Sequence, residues 1–356
     1  AQGSGYGFTD PASPLHRSAT IFGNVTVNKG TSQATTLSFT GGNISTPVNG
    51  WLTLQNGTLE YLLTDPRTDF TVTTTSAFTI PGTSGLEINL ASNANNTNVL
   101  IANANSNNND LFLNGKLTIA NSTVYVGPAA SPVNNNDIEY GGGGLSEIDV
   151  QGGTLVVNGQ IRMNPASTAG VLKYRQSGSS NVIIRGQAAN ATNAKLEVYN
   201  TGSVFNMSGT SNLTIVRGGG GSTYGDLYIR AASSSVGGSS TINFTQTPSI
   251  GPVVDAVQNY LLDANVPLNN LTITGKTAAT ARNATVTLLI SPLVLNGNLT
   301  ISNANSILDA NSAYSVNITV NGGFVNNGTY NYYTNLTTFN GNVQSIQGSS
   351  ITNFYN

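Results

Sequence analysis

The densest group of ionisable residues reads NDIEYGGGGLSEIDV, residues 136–150, and sets Asp137 two residues from Glu139 and Glu147 two from Asp149. Residues two apart on a strand share one face. If the two pairs meet across the glycine loop, they offer four carboxylates in one place, which suits an oxygen-liganded Ca²⁺ or an acid-and-base pair for glycoside cleavage. The plain alternative is a solvated strand face beside a loop.

A second group is aromatic. Phe324, Tyr330, Tyr332, Tyr333, Phe339, Phe354 and Tyr355 crowd the last part of the chain. Exposed tyrosines stack on sugar rings, so Tyr330, Tyr332 and Tyr333 are candidates for glycan contact, while the competing reading places the same rings in a core.

Other chemistries lack their parts. The chain has no cysteine and one histidine, His16 in SPLHRSA, so disulfides and thiolate metal sites are excluded and a nucleophilic triad has one candidate base in an irregular leader. The tetrads Gly141 to Gly144 and Gly218 to Gly221 are not followed by Lys-Ser/Thr and do not make a phosphate loop. GSGYG, residues 3–7, precedes any strand and fails the dinucleotide pattern. No cofactor is expected. The 13 Lys and Arg are scattered, without the basic run that would hold a phosphate backbone, so nucleic acid is not an expected partner. No apolar stretch is long enough to span a bilayer. The start, AQGSGYG, suits a mature chain after signal cleavage.

The elements that must position these residues are strands. Charged residues make up 8% of the 356 and hydrophobic residues 38%, against roughly 25% charged in average soluble proteins. Solubility therefore comes from Asn, Thr, Ser and Gly, and the apolar content is enough to fold. LEINL at 86–90, NLTIV at 212–216 and NLTITG at 270–275 alternate apolar and polar residues, the pattern of a half-buried strand. The exception is VVDAVQNYLLDAN, residues 253–265, whose apolar spacing of three and four reads as a short helix or one more irregular strand.

One phrase recurs: LFLNGKLTI at 111–119, LVVNGQIRM at 155–163 and LVLNGNLTI at 293–301, with looser copies around Asn56, Asn321 and Asn340. The Asn-Gly pairs lie 44, 138, 25 and 19 residues apart from Asn114 through Asn158, Asn296 and Asn321 to Asn340, near multiples of about 22, a repeat period of the kind solenoids show. Asn-Gly between alternating strands marks a hairpin turn or a tight solenoid corner in which one of the two residues takes the left-handed conformation. The period favours the corner. We therefore expect an all-β, right-handed parallel β-helix: a leader or cap over residues 1–20 and a solenoid body over 21–356 with Asn/Gly-rich loop insertions such as residues 91–110. Roughly sixteen coils at about 4.8 Å each would make a rod about 75 Å long. The alternative is a tandem array of Ig-like sandwiches.

The phrases LVLNGNLTISNANSILDANS and TTFNGNVQSIQGSSITNFYN, residues 293–312 and 337–356, resemble the repetitive, cysteine-free surface proteins that Bacteroidota export by the type IX secretion system, including giant gliding-motility adhesins. The resemblance implies extracellular display on the cell surface, contact with the secretion machinery, and attachment to polysaccharide or another surface ligand without catalysis. Two other functions stay open: a β-helix polysaccharide lyase or hydrolase, and a self-assembling extracellular fibre subunit. An open β-helix end exposes unpaired backbone groups, so the closing phrase SITNFYN leads us to expect that the polypeptide continues past Asn356 or is covered there by a neighbouring chain.

Overall fold

The computed structural model describes residues 19–20, 24–41, 44–45, 50–63, 69–72, 76–90, 97–103, 109–129, 135–141, 144–186, 196–219 and 225–355. Among them the chain is all β, without a helix, and coils as a right-handed parallel β-helix. Pairing between strands is parallel in every sheet, which excludes the Ig-like array. One short antiparallel bridge, Lys276 with Arg282, lies outside the strands.

Each coil visits three sheets in turn. Leu111–Leu113 lies in the third sheet, Lys116–Asn121 in the first, Thr123–Val126 in the second, and Ile138–Tyr140 returns to the third one coil on. The first, second and third sheets contain nine, eleven and ten strands among the described residues, and a fourth sheet of three strands takes the place of the first near the end of the chain. Eleven strands span about 48 Å at the usual strand spacing, so this stack is shorter than the rod the 22-residue period implied. The reason is coil length. Down the first sheet, Leu86, Leu117, Ile148, Tyr174, Phe205 and Ser234 pair in succession, steps of 31, 31, 26, 31 and 29 residues. Steps near 22 occur locally, where Leu37 pairs with Leu59 and Ile138 with Ile161, and towards the end of the chain, where Leu293, Ile318 and Thr337 pair at steps of 25 and 19.

The alternation read from the sequence is what fills the core. In the second sheet Val124 and Val126, Leu155 and Val157, Val182 and Ile184, Leu213 and Ile215, and Leu299 and Ile301 all point inward and are buried, each row stacking on the equivalent row of the next coil. Aromatics stack in the same way: Tyr174 and Phe205, cross-strand neighbours in the first sheet, lie 5.5 Å apart with rings 12° from parallel. Continuous axial stacking is how a repeat fold buries faces that no single coil could bury.

The stretch 253–265 is not a helix. Gln258–Ala264 is a strand of the third sheet between Leu227–Ile229 and Ala284–Leu288, with Tyr260 and Leu262 buried two residues apart. Residues 253–257 form an irregular approach to it, held where Val254 N donates to Gln246 O (2.9 Å) and Gln246 Nε2 to Ala256 O (2.5 Å). Pairing with strands already in place on both sides overrides a weak helical spacing. Of the leader, residues 1–18 and with them His16 lie outside the described residues, as does most of the 91–110 loop; Ala19–Thr20 pairs parallel with Ile44–Ser45.

The recurrent phrase occupies three different corners. Asn114-Gly115 turns from the third sheet into the first, Asn158-Gly159 from the second into the third, and Asn296-Gly297 from the fourth into the second. Asn296, Asn321 and Asn340 share a corner, and Asn56-Gly57 lies at the corner of Asn114-Gly115, since Thr58 and Lys116 both pair with Gly85. The conformation expected at these corners is also corrected. Of the pairs read from the sequence, only Gly57 has positive φ, at 82°. Glycine is required elsewhere by close approach: a Cβ on Gly115 would lie 2.1 Å from Ser84 O, and one on Gly341 would lie 1.9 Å from Asn321 O. The left-handed glycines form their own ladder between the first and second sheets. Gly178, Gly209 and Gly238 have φ of 60°, 68° and 66°, and a Cβ on either of the last two would meet the carbonyl of the glycine one coil before.

Candidate functional site: the outer face of the third sheet

The four carboxylates do not converge. Asp137 and Glu139 belong to the third sheet and Glu147 and Asp149 to the first, because the chain turns a corner between them. Nor is the first pair a solvated face. Asp137 is fully buried and Glu139 nearly so, and both are engaged by Arg162 of the next coil, through Nε to Asp137 Oδ2 at 2.8 Å and Nη2 to Glu139 Oε1 at 2.5 Å. Asp137 Oδ1 accepts the amide of Gln160 at 2.7 Å, and Asp110 Oδ1 in turn accepts the amide of Asp137 at 2.7 Å. These acids brace successive coils. Burial raises the pKa of all three carboxyls despite the opposing pull of Arg162, that of Asp110 to about 7. Glu147 and Asp149 are half-exposed and share Lys116, at 3.3 and 3.2 Å. Among the described residues no cluster of acidic or histidine side chains forms a cage for a metal.

The tyrosines separate as well. Tyr330 is a core residue whose hydroxyl meets Thr337 Oγ1 at 2.6 Å and accepts Asn335 Nδ2 at 2.8 Å, which removes it from the glycan-stacking set. Tyr332 is half-buried against the same core. Tyr333 is exposed, and its hydroxyl donates to Asp309 Oδ2 at 3.0 Å. Its backbone has φ 48°, a left-handed conformation that a bulky residue adopts only when its surroundings impose it. Thr334 fastens the corner, its Oγ1 lying 2.7 Å from Ser315 Oγ of the preceding coil. The exposed Tyr314 adjoins that serine in sequence.

Asp309 is not isolated. Thr287, Asp309 and Asn331 are register partners on the outer row of the third sheet, and Asn331 Nδ2 donates to Asp309 Oδ2 at 3.1 Å. Further up the same face, and two positions along the strands from the row of Leu261, Thr287 and Asp309, a second row reads Phe112, Glu139, Arg162, then Glu197, Tyr228 and Asp263. Glu197 Oε2 accepts the amide of Met163 at 2.8 Å, and burial raises its pKa. Tyr199 stacks on Tyr228 with centroids 5.6 Å apart. Arg230 covers the Tyr228 ring at 5.6 Å, pairs with the buried Asp263 and donates to Ser291 Oγ at 2.9 Å. The face thus carries two tyrosine stations, the half-buried Tyr199 stacked on the buried Tyr228 and the exposed Tyr333, with Tyr228 and Tyr333 about 19 Å apart across four strand spacings and paired acids and amides between and around them.

Sequence reasoning singled out Asp137, Glu139 and Tyr333, read Arg162 and Arg230 as isolated arginines, and missed Tyr199, Tyr228, Asp263 and Asp309. The missed residues lie in separate coils, and only the true coil step, near 30 residues, would have aligned them. No family model matches this chain, and comparison with curated proteins and with solved structures finds no match either.

Proposed function

We propose that this chain is a non-enzymatic, secreted attachment protein whose third sheet binds extracellular polysaccharide lengthwise along the solenoid. The observation that carries this reading is the outer face of the third sheet, where two adjacent rows hold the tyrosine stations together with Arg230, Asp263, Asp309 and Asn331. Strands recur about every 4.8 Å along it, close to the length of one sugar residue in an extended chain. Tyrosine faces take the apolar faces of sugar rings, and the paired acids and amides offer fixed acceptors and donors to hydroxyls. The acids are already bound to arginines and backbone amides, which favours holding a chain over cleaving one. Display at the cell surface, export by the type IX route and a part in gliding rest on the resemblance described above.

One observation keeps an enzymatic reading alive. Glu139 and Glu197 flank Arg162 in the same row, about 9.6 Å apart across two strand spacings, and burial raises the pKa of both, as suits an acid for glycoside cleavage. A panel of soluble polysaccharides, tested for retention by the protein and for release of reducing or unsaturated sugars, separates the two. We expect retention without release, weakened by Tyr199→Ala. Sugar release abolished by Glu197→Gln would establish the enzyme instead, and no retention of any polymer would overturn glycan binding.

A further inference from the structure

We propose that Asn340-Gly341 is a site of spontaneous, structure-selected deamidation. Asn-Gly is the dipeptide in which this reaction meets the least steric resistance. The Gly amide nitrogen, once it loses its proton, attacks the Asn side-chain carbonyl; the C–N bond to the side-chain amide breaks, ammonia leaves, and a succinimide results. Water then opens the ring to aspartate or isoaspartate. A glycine N–H already given to a carbonyl is held away from this attack.

Eight Asn-Gly pairs occur in the sequence, and Asn49 lies outside the described residues. In six of the other seven the glycine N–H is committed. Gly57 donates to Thr83 O, Gly115 to Ile80 O, Gly159 to Asn136 O, Gly297 to Asn269 O and Gly322 to Gly297 O, at 2.9 to 3.1 Å, and Gly328 donates to Asn326 Oδ1 at 3.0 Å. These bonds join neighbouring coils, except that of Gly328, which is local. At Asn340-Gly341 the Asn amide still reaches Val320 O, at 3.2 Å, whereas the Gly341 amide carries no such bond. Exposure alone does not separate the sites, for Asn296 is as exposed as Asn340 yet its glycine is bonded to the coil before. The difference is that Gly341 has left the inter-coil ladder.

The product matters to the fold. Deamidation places a carboxylate immediately after the edge strand Thr337–Phe339, which is outermost in the fourth sheet among the described residues, where charge discourages a further strand from pairing.

The test is peptide mapping of the folded protein held at mildly alkaline pH, with a parallel sample in denaturant. In denaturant the seven pairs should convert at comparable rates. In the folded protein Asn340 should convert at least about tenfold faster than any of the other six, because each of those must first open locally. Equal folded rates at Asn340 and Asn296, or protection of Asn340 alongside the rest, would overturn the proposal.

Discussion

Asp110 and Asp137 stand one above the other in successive coils, and the carboxylate of the first holds the amide of the second at 2.7 Å. Burial is the chief cause that lifts the Asp110 carboxyl from 3.8 to about 7. A carboxyl with a folded-state value above its unfolded one favours the fold in its neutral form. That contribution is complete below 3.8 and is lost as pH rises through about 7, since the folded state binds the extra proton across the window. We therefore expect the melting temperature to rise as pH is lowered from above 7 toward 4. Asp110→Asn, which keeps an acceptor without the charge, should flatten that slope. An unchanged slope in the variant would assign the effect to other groups.

Arg162 lies between two buried acids, so its loss should be severe. Arg162→Met leaves Asp137 without a counter-charge and should cost about 3–5 kcal/mol, with part of the loss recovered by adding Asp137→Asn. Arg175, which approaches the half-exposed Glu147 at 3.5 Å, should tolerate the same change within about 0.5 kcal/mol. Chelation should leave the melting temperature unmoved, because Arg162 and Lys116 already occupy the four acids singled out in the sequence. A large drop on adding chelator would require a metal where the structure places guanidinium and ammonium groups.

Adjacent glycines give a sharper contrast. Gly238 has φ 66° and a Cβ there would lie 2.6 Å from Gly209 O, whereas a Cβ on Gly237 meets nothing within 4 Å. Gly238→Ala should therefore destabilise by more than about 1 kcal/mol, and Gly237→Ala should be neutral or stabilising by about 0.4–1 kcal/mol through the unfolded chain. Equal effects in thermal melts would contradict the ladder.

The parallel β-helix was legible because two-residue alternation and tight corners are local properties, written into short phrases such as NLTITG. The coil length was not. Asn-Gly recurs wherever a glycine must pass close under the preceding coil, and three different corners pose that same demand, so the spacing between phrases mixes whole coils with fractions of one. A truer marker was present in SGSS, SGTS and GGSS, which begin at residues 177, 208 and 237. Their steps of 31 and 29 match the coil, since each supplies the left-handed glycine of one corner and ends on a buried serine, Ser180, Ser211 and Ser240. The site was less visible still. Asp137 and Glu139 stood out as a local pair, but Arg162, which determines their state, is a single residue one coil away.

Inward and outward positions of the recurrent phrase can be tested one by one. Leu295 is fully buried and Leu299 nearly so, while Thr300 is half-exposed on the outer row between Thr272 and Val325. Leu295→Asp puts an unpaired carboxylate into the core and should cost several kcal/mol, about 3 or more. Thr300→Asp should stay within about 1 kcal/mol. Comparable losses for the two would reverse the assigned faces.

The last prediction joins backbone strain to binding at Tyr333. A bulky side chain in the left-handed region costs about 1–2 kcal/mol relative to a residue that tolerates it, and asparagine tolerates it. If the corner were only a turn, Tyr333→Asn would be an improvement: the φ of 48° suits the new residue, and the ring given up is exposed and outside the core. Against that gain stands the hydroxyl bond to Asp309, which the variant cannot make and which at an exposed site is worth about 1 kcal/mol. These terms nearly cancel, so the variant should melt within a few degrees of the parent. Retention of polysaccharide should nevertheless fall, because the exposed ring at the lower tyrosine station is gone. Affinity electrophoresis in gels cast with the retained polymer, run beside thermal melts, reads both quantities on the same preparation. Unchanged mobility with unchanged stability would strip Tyr333 of a binding role, and a large loss of stability would show that the corner is held by this ring and not strained by it.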